Sequence, residues 1–133
     1  MKAHIQEALL ARDKAYVPYS KFKVGAAIEL KNGKIIHGAN VENASFGLTS
    51  CAERNALFSL YSQGYTKEDI VSITIIANDH GPVSPCGACR QVMHELMPKQ
   101  TKIYLANTKG EIKETSTDEL LPYAFVLDEK PHE

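Results

Sequence analysis

The sequence has no long uncharged apolar run, which excludes a membrane-spanning helix, since that needs about 20 such residues. It also lacks any cluster of lysine and arginine, and 15 basic against 16 acidic side chains leave a formal net charge of -1. A surface that wraps a polynucleotide backbone carries a basic face, so neither nucleic acid nor a membrane is expected as a partner. No repeat, linker or low-complexity segment divides the chain. A single domain over residues 1–133 is expected, long enough to bury a core without disulfide staples. The opening Met1 to Glu7 shows neither the apolar core nor the small-residue cleavage site of a signal peptide, so a cytoplasmic location is expected. In that reducing setting three cysteines, a small and odd number, argue against a disulfide framework and for metal binding or catalysis. Asn43-Ala44-Ser45, formally a glycosylation acceptor, is then incidental.

Hydrophobic spacing gives the layout. Ile5, Leu9, Leu10 and Ala15 recur at helical spacing, predicting an amphipathic first helix from Met1 to about Tyr16, ended by Pro18. Phe22, Val24, Ala26, Ile28 and Leu30 alternate as a strand up to Asn32-Gly33, a hairpin turn, and Lys34 to about Val41 supplies the returning strand. After a loop from Glu42 to Ser50, a helix is expected over Cys51–Tyr61, stopping before Gly64. Thr66 to Asp69 reads as a capped turn into Ile70–Ala77, a β-branched run suited to a strand covered on both faces. The loop Gly81–Pro85 leads to a helix over Cys86–Leu96, ended by Pro98, then to a strand over Lys102–Ala106 and a short strand near Glu111–Glu114. Ser116-Thr117-Asp118-Glu119 opens a short helix that Pro122 stops. This order predicts a three-layer α/β/α sandwich with a mixed sheet of about five strands.

All three cysteines fall at helix starts. Cys86 and Cys89, three apart, share one helix face, and Cys51 begins another helix. Positive helix ends favour the thiolates that a metal requires. Three protein ligands are the set of a catalytic zinc, which keeps a fourth position for water, whereas structural sites take four. Three alternatives remain at this level. The cysteines are a structural zinc site completed by a histidine, of which His80 and His94 flank the Cys86 loop; they are merely buried; or Cys86 and Cys89 are a redox pair, which leaves Cys51 unexplained.

Glu53 lies two residues beyond Cys51, near enough to face the open position without ligating. There it can act as a general base and carry a proton onward; the plainer alternative is a first-turn carboxylate favoured by the helix dipole. Three thiolates leave a divalent ion with net negative charge, and Arg54 has forked donors able to bond ligand sulfurs, unless it is an ordinary surface arginine.

The arrangement Cys-x-Glu followed by Pro-Cys-x-x-Cys resembles the signature of zinc deaminases acting on nucleobases. Over nearly its full length the chain resembles the small cytidine deaminases. The segments that carry the likeness are Pro18 to Ala27, Gly38 to Ala44, Cys51 to Arg54, Ser84 to Gln91 and Glu119 to Pro122. The resemblance implies hydrolytic deamination of cytidine and 2'-deoxycytidine, with one zinc on Cys51, Cys86 and Cys89 and Glu53 moving the proton. It also implies Asn40 and Glu42 on the ribose hydroxyls, Phe22 beside the base, and backbone near Ala52 and Ser84 on its polar edge. Without it, Asn40 and Glu42 read as strand-end polar residues and Phe22 as core. Relatives with three cysteine ligands are homotetramers with shared sites, and Phe125 matches the phenylalanine that reaches across from a neighbour. Phe46 stands where many relatives have tyrosine. Outside this activity, a zinc-stabilised nucleic-acid module is opposed by the charge balance, and a deaminase for another aminopyrimidine by the presence of Asn40 and Glu42.

Overall fold

Asn32-Gly33 turns the chain as expected. Gly33 adopts φ +88°, which glycine alone takes freely, and the Asn32 side-chain oxygen accepts from the Lys34 amide at 2.9 Å. The hairpin belongs to a computed structural model that describes residues 2–127. Its strands are β1 (Val24–Leu30) and β2 (Ile35–Ala39), followed by β3 (Ile70–Ala77), β4 (Lys102–Asn107) and β5 (Ile112–Thr115). They form one sheet in the order β2-β1-β3-β4-β5, in which only β3 and β4 are parallel. A parallel pair cannot be joined by a tight turn, and α3 (Gly87–Leu96) supplies the crossover. The remaining helices are α1 (Lys2–Arg12), α2 (Ala52–Ser62) and the single turn α4 (Thr117–Leu120). The expected mixed five-stranded α/β sandwich is therefore observed.

The two faces of the sheet are packed differently. Ile28, Ile73, Ile75, Ile103 and Leu105 point toward α2 and α3, where Leu57, Leu60 and Met93 meet them with almost no exposure. Each such side chain contributes about 1.5–3 kcal/mol on burial, so this face dominates stability. On the other face α1 lies over Ile76 and two small residues, Ala27 and Ala106, with Ala8 as its own contact. Polar links supplement the thin apolar layer. His4 pairs with Glu29 at 2.9 Å and His37 with Glu7 at 2.7 Å, and His4 stacks on Tyr104 with ring centroids 5.9 Å apart.

Two glycines let the helices approach. A Cβ at Gly25 would stand 2.2 Å from the Ala8 carbonyl oxygen of α1, and one at Gly38 would stand 2.4 Å from the Ala52 carbonyl oxygen of α2. Gly38 thus sets the height of the helix start that bears Cys51 and Glu53.

Three boundaries differ from expectation. The first helix ends at Arg12 and not near Tyr16, because Tyr16 leaves it to pair with the chain beyond β2: its amide donates to the Asn40 carbonyl and its carbonyl accepts from the Glu42 amide, both at 2.9 Å. The strand β1 begins at Val24 and not at Phe22, since the Asn40 side chain takes the backbone groups that would continue the ladder. Cys51 and Cys86 cap their helices from just outside the first turn. The end of the C-terminal tail, 128–133, lies outside the described residues.

Candidate active site

The N-termini of α2 and α3 meet, and their meeting gathers the cysteines. Cys51 caps α2, Cys86 caps α3, and Cys89 sits buried in the first turn of α3. The three Sγ atoms lie within 4.8 Å of one another, with Cys51 and Cys86 4.0 Å apart. Among the described residues neither His80 nor His94 joins them, so the four-ligand structural alternative finds no fourth donor. Three convergent thiols at positive helix ends are a donor set that fits zinc, a borderline-soft ion.

Charge in the cluster is uneven. Arg54 Nη2 donates to Cys51 Sγ at 3.2 Å, and the Cys89 amide donates to Cys86 Sγ at 3.5 Å. The Cys51 thiol is brought down to about 5, first by a hydrogen bond from the Cys89 thiol and further by the guanidinium of Arg54. Cys89 moves the opposite way, because it donates that bond and is itself buried. Without metal, the Arg54 guanidinium thus favours the thiolate at Cys51, and burial favours the protonated thiol at Cys89. Glu53, only 5% exposed in the first turn of α2, is pushed above the usual carboxylate range by burial, with the Cys51 charge adding to the effect. Its carboxylate oxygens do not belong to the sulfur group. A carboxyl raised in this way holds a proton more readily than an ordinary one and can return it.

The loop before β1 and the segment after β2 carry other residues expected at the site. Asn40 clamps this loop: its side-chain oxygen accepts from the Val24 amide at 2.9 Å, and its Nδ2 donates to the Phe22 carbonyl at 2.8 Å. One amide hydrogen remains for another acceptor. Glu42 accepts from the Tyr19 and Ser20 amides, each at 3.1 Å, and from the Ser20 hydroxyl, which hold its carboxyl below the ordinary range. Between these clamps Lys21 takes a left-handed φ of 62°, a conformation that costs a non-glycine residue about 1 kcal/mol and persists only where its neighbours enforce it. Tyr19, Ser20, Glu42, Asn43, Phe46 and Thr49 surround an open cavity of about 430 Å³.

Other candidates fall into place unequally. Ala52 is fully buried at the start of α2. The Ser84 hydroxyl accepts from Arg90 Nη2 at 2.7 Å. Phe22 is 40% exposed. Phe125 lies apart: it is exposed and lines a cavity with Lys67, His94, Glu95, Lys99 and Val126, none of them from the thiol cluster. Sequence reasoning passed over two residues. Arg90 donates to the Pro85 carbonyl, the Leu120 carbonyl and Ser84, bracing the loop that leads to Cys86. Asn55 bridges Ser50 and Ala39. An asparagine inside a helix, where it is intrinsically unfavourable, was the available signal.

Comparison with known proteins agrees with this geometry. The cytidine and deoxycytidylate deaminase zinc-binding region matches residues 1–105. A cytidine deaminase of Halalkalibacterium halodurans is 57% identical over 125 residues, covering 94% of this chain and 93% of that one. One from Sporosarcina psychrophila is 49% identical, covering 91% and 88%. The crystal structure of a cytidine deaminase from Burkholderia pseudomallei superposes with a TM-score of 0.91 at 52% identity, covering 93% of this chain and 98% of that one.

Proposed function

The chain belongs to the cytidine and deoxycytidylate deaminase family, and from that membership we propose that it hydrolyses cytidine and 2'-deoxycytidine to uridine and 2'-deoxyuridine. Ammonia is the second product. The observation that carries this function is the set of three sulfurs within 4.8 Å beside the buried Glu53. Zinc held by Cys51, Cys86 and Cys89 would supply Lewis acidity, which brings the pKa of water toward neutrality.

The chain's own groups do the rest. Glu53 takes a proton from the attacking water and passes it to N3 of the base, where it stays; it then takes the second proton from the hydroxyl now on C4 and gives it to the amino group, so that the C4–N bond breaks, ammonia leaves and the C4–O bond becomes the carbonyl. A carboxyl raised by burial suits both directions of transfer. Arg54 offsets thiolate charge through its bond to Cys51. Backbone near Ala52 and Ser84 takes the polar edge of the base, and Phe22 lies against its face. Asn40, with an amide hydrogen to spare, and Glu42 hold the ribose hydroxyls. Occupancy of the cavity at Glu42 by a sugar favours nucleosides over other aminopyrimidines.

The active assembly is a homotetramer of single-domain chains in the cytoplasm, with Phe125 from a neighbour completing each site. Exposure of Tyr123, Phe125, Val126 and Leu127 supports such a contact. Among the described residues no helix is long and apolar enough to cross a membrane.

Ammonia and the ultraviolet change are measured for the zinc-loaded protein mixed with cytidine, 2'-deoxycytidine or free cytosine. Both nucleosides should react and cytosine should not. No ammonia from either nucleoside removes the assignment.

A further inference from the structure

We propose that Asn55 is a positioning residue that fixes the sugar-binding segment against the metal-binding helix and thereby sets nucleoside affinity; this rests on the deaminase function above. Its backbone amide makes the ordinary helical bond to the Cys51 carbonyl at 3.0 Å, one turn back. Its side chain reaches outside the helix in two directions. Nδ2 donates to the Ala39 carbonyl at 2.7 Å, and Oδ1 accepts from the Ser50 hydroxyl at 2.6 Å. Ala39 ends β2 immediately before Asn40, and Ser50 immediately precedes Cys51. One amide therefore ties together both ends of the 40–50 segment, which carries Asn40, Glu42 and Phe46.

Backbone bonds in both directions between Val41 and Ser50, each 2.9 Å, already close the 40–50 segment on itself, and what Asn55 adds is its anchorage to α2. Among the described residues, the bond from Asn55 to Ala39 is the one side-chain hydrogen bond between α2 and β2. Gly38 allows the helix to lie close to the strand, but closeness alone does not fix its lateral position. Asn55 also stands at the head of a relay. Beyond Ala39, Asn40 grips the Phe22 carbonyl and the Val24 amide, so a shift at Ala39 moves the loop beside the base as well as the sugar side. Two bonds at 2.6 and 2.7 Å offset the low helix propensity of asparagine, whereas a residue present only for the helix would not need them.

The test compares wild type, Asn55→Ala and Asn55→Asp, all zinc-loaded, with cytidine and with 2',3'-dideoxycytidine, which lacks the 2' and 3' hydroxyls and keeps the 5' hydroxyl. Asn55→Asp keeps the shape and the acceptor for Ser50 but puts a charged carboxylate oxygen where the donor faced the Ala39 carbonyl, so it breaks that bond and serves if the alanine variant does not fold. KM for cytidine should rise about tenfold with kcat little changed, the loss expected of one positioned hydrogen bond, and KM for dideoxycytidine should stay near wild type. The preference for cytidine over dideoxycytidine then collapses while zinc remains at one per chain. A purely structural role would lower thermal stability or zinc content and leave that preference intact, and this result overturns the proposal. A wild type that deaminates neither nucleoside overturns the deaminase function and this proposal with it. An active wild type with an unchanged preference in the variants overturns the proposal alone.

Discussion

Arg54 Nη2 donates to Cys51 Sγ at 3.2 Å from the first turn of the helix that Cys51 caps, so a thiol lowered toward its thiolate and the cation beside it are carried by one short segment. The pairing holds the negative charge of the site in place before any metal is bound. Removing the cation should weaken the centre without unfolding the sheet, because Arg54 contributes no apolar contact to the main core. Arg54→Ala is expected to lower kcat or zinc affinity by about 10–100-fold, the usual cost of losing a partner of a metal ligand. Steady-state kinetics with metal analysis checks this, and unchanged values for both would make Arg54 an ordinary surface side chain.

Glu53→Gln should keep zinc at one per chain and lose at least about 100-fold in turnover, the scale of a general acid–base group. Retention of most activity would remove Glu53 from proton transfer.

The same variant gives a pH signature in the metal-free protein. Burial raises the Glu53 pKa above its unfolded value of 4.5, so the folded chain binds this proton more tightly than the unfolded chain does. Stability from this group is fully present below 4.5 and is lost as pH rises through the folded value. Glutamine cannot ionise. The Tm of Glu53→Gln should match wild type near pH 4, exceed it increasingly as pH rises above 4.5, and level off above the folded value, measured by thermal melts under reducing conditions. A difference that shrinks with rising pH would contradict the raised value.

How much of this was legible in the sequence depended on range. The Asn32-Gly33 turn and the β-branched run Ile70–Ala77 depend on neighbours along the chain, and both elements formed where expected. The cysteines were readable because their spacing put them at helix starts, although both helices begin one residue later than read. What was not readable depends on partners far along the chain. Nothing near Tyr16 announces that its backbone will bond to Asn40 and Glu42 and so end the first helix early. Asn40 acts through carbonyls and amides of other elements, which no local pattern marks, and at Asn55 the helix-unfavourable residue type marks the position but not its distant partners.

Gly38→Ala tests the packing that sets the helix start. The added methyl would meet backbone atoms of Ala52 and Ala56, which cannot swing away as a side chain can. Destabilisation of about 2 kcal/mol is expected, in the range for overpacking, together with reduced activity as α2 shifts. Chemical denaturation and kinetics report the two effects, and a variant as stable as wild type would show that the helix yields freely.

Metal removal should separate the site from the fold. Cys51, Cys86 and Cys89 stand outside the main apolar cluster, which holds α2 and α3 against the sheet on its own. Chelated protein should keep its far-ultraviolet circular dichroism at 25 °C and melt at a lower temperature. Loss of secondary structure on chelation would mean that the centre is a folding element.

Zinc titrated into metal-free protein, with deaminase rate and free thiols followed together, tests the central claim most directly. The three-thiol centre predicts activity that rises linearly to a break at one zinc per chain, while reactive thiols fall from three to none. Activity that is full before zinc is added, or that continues to rise with all three thiols still reactive, would contradict it.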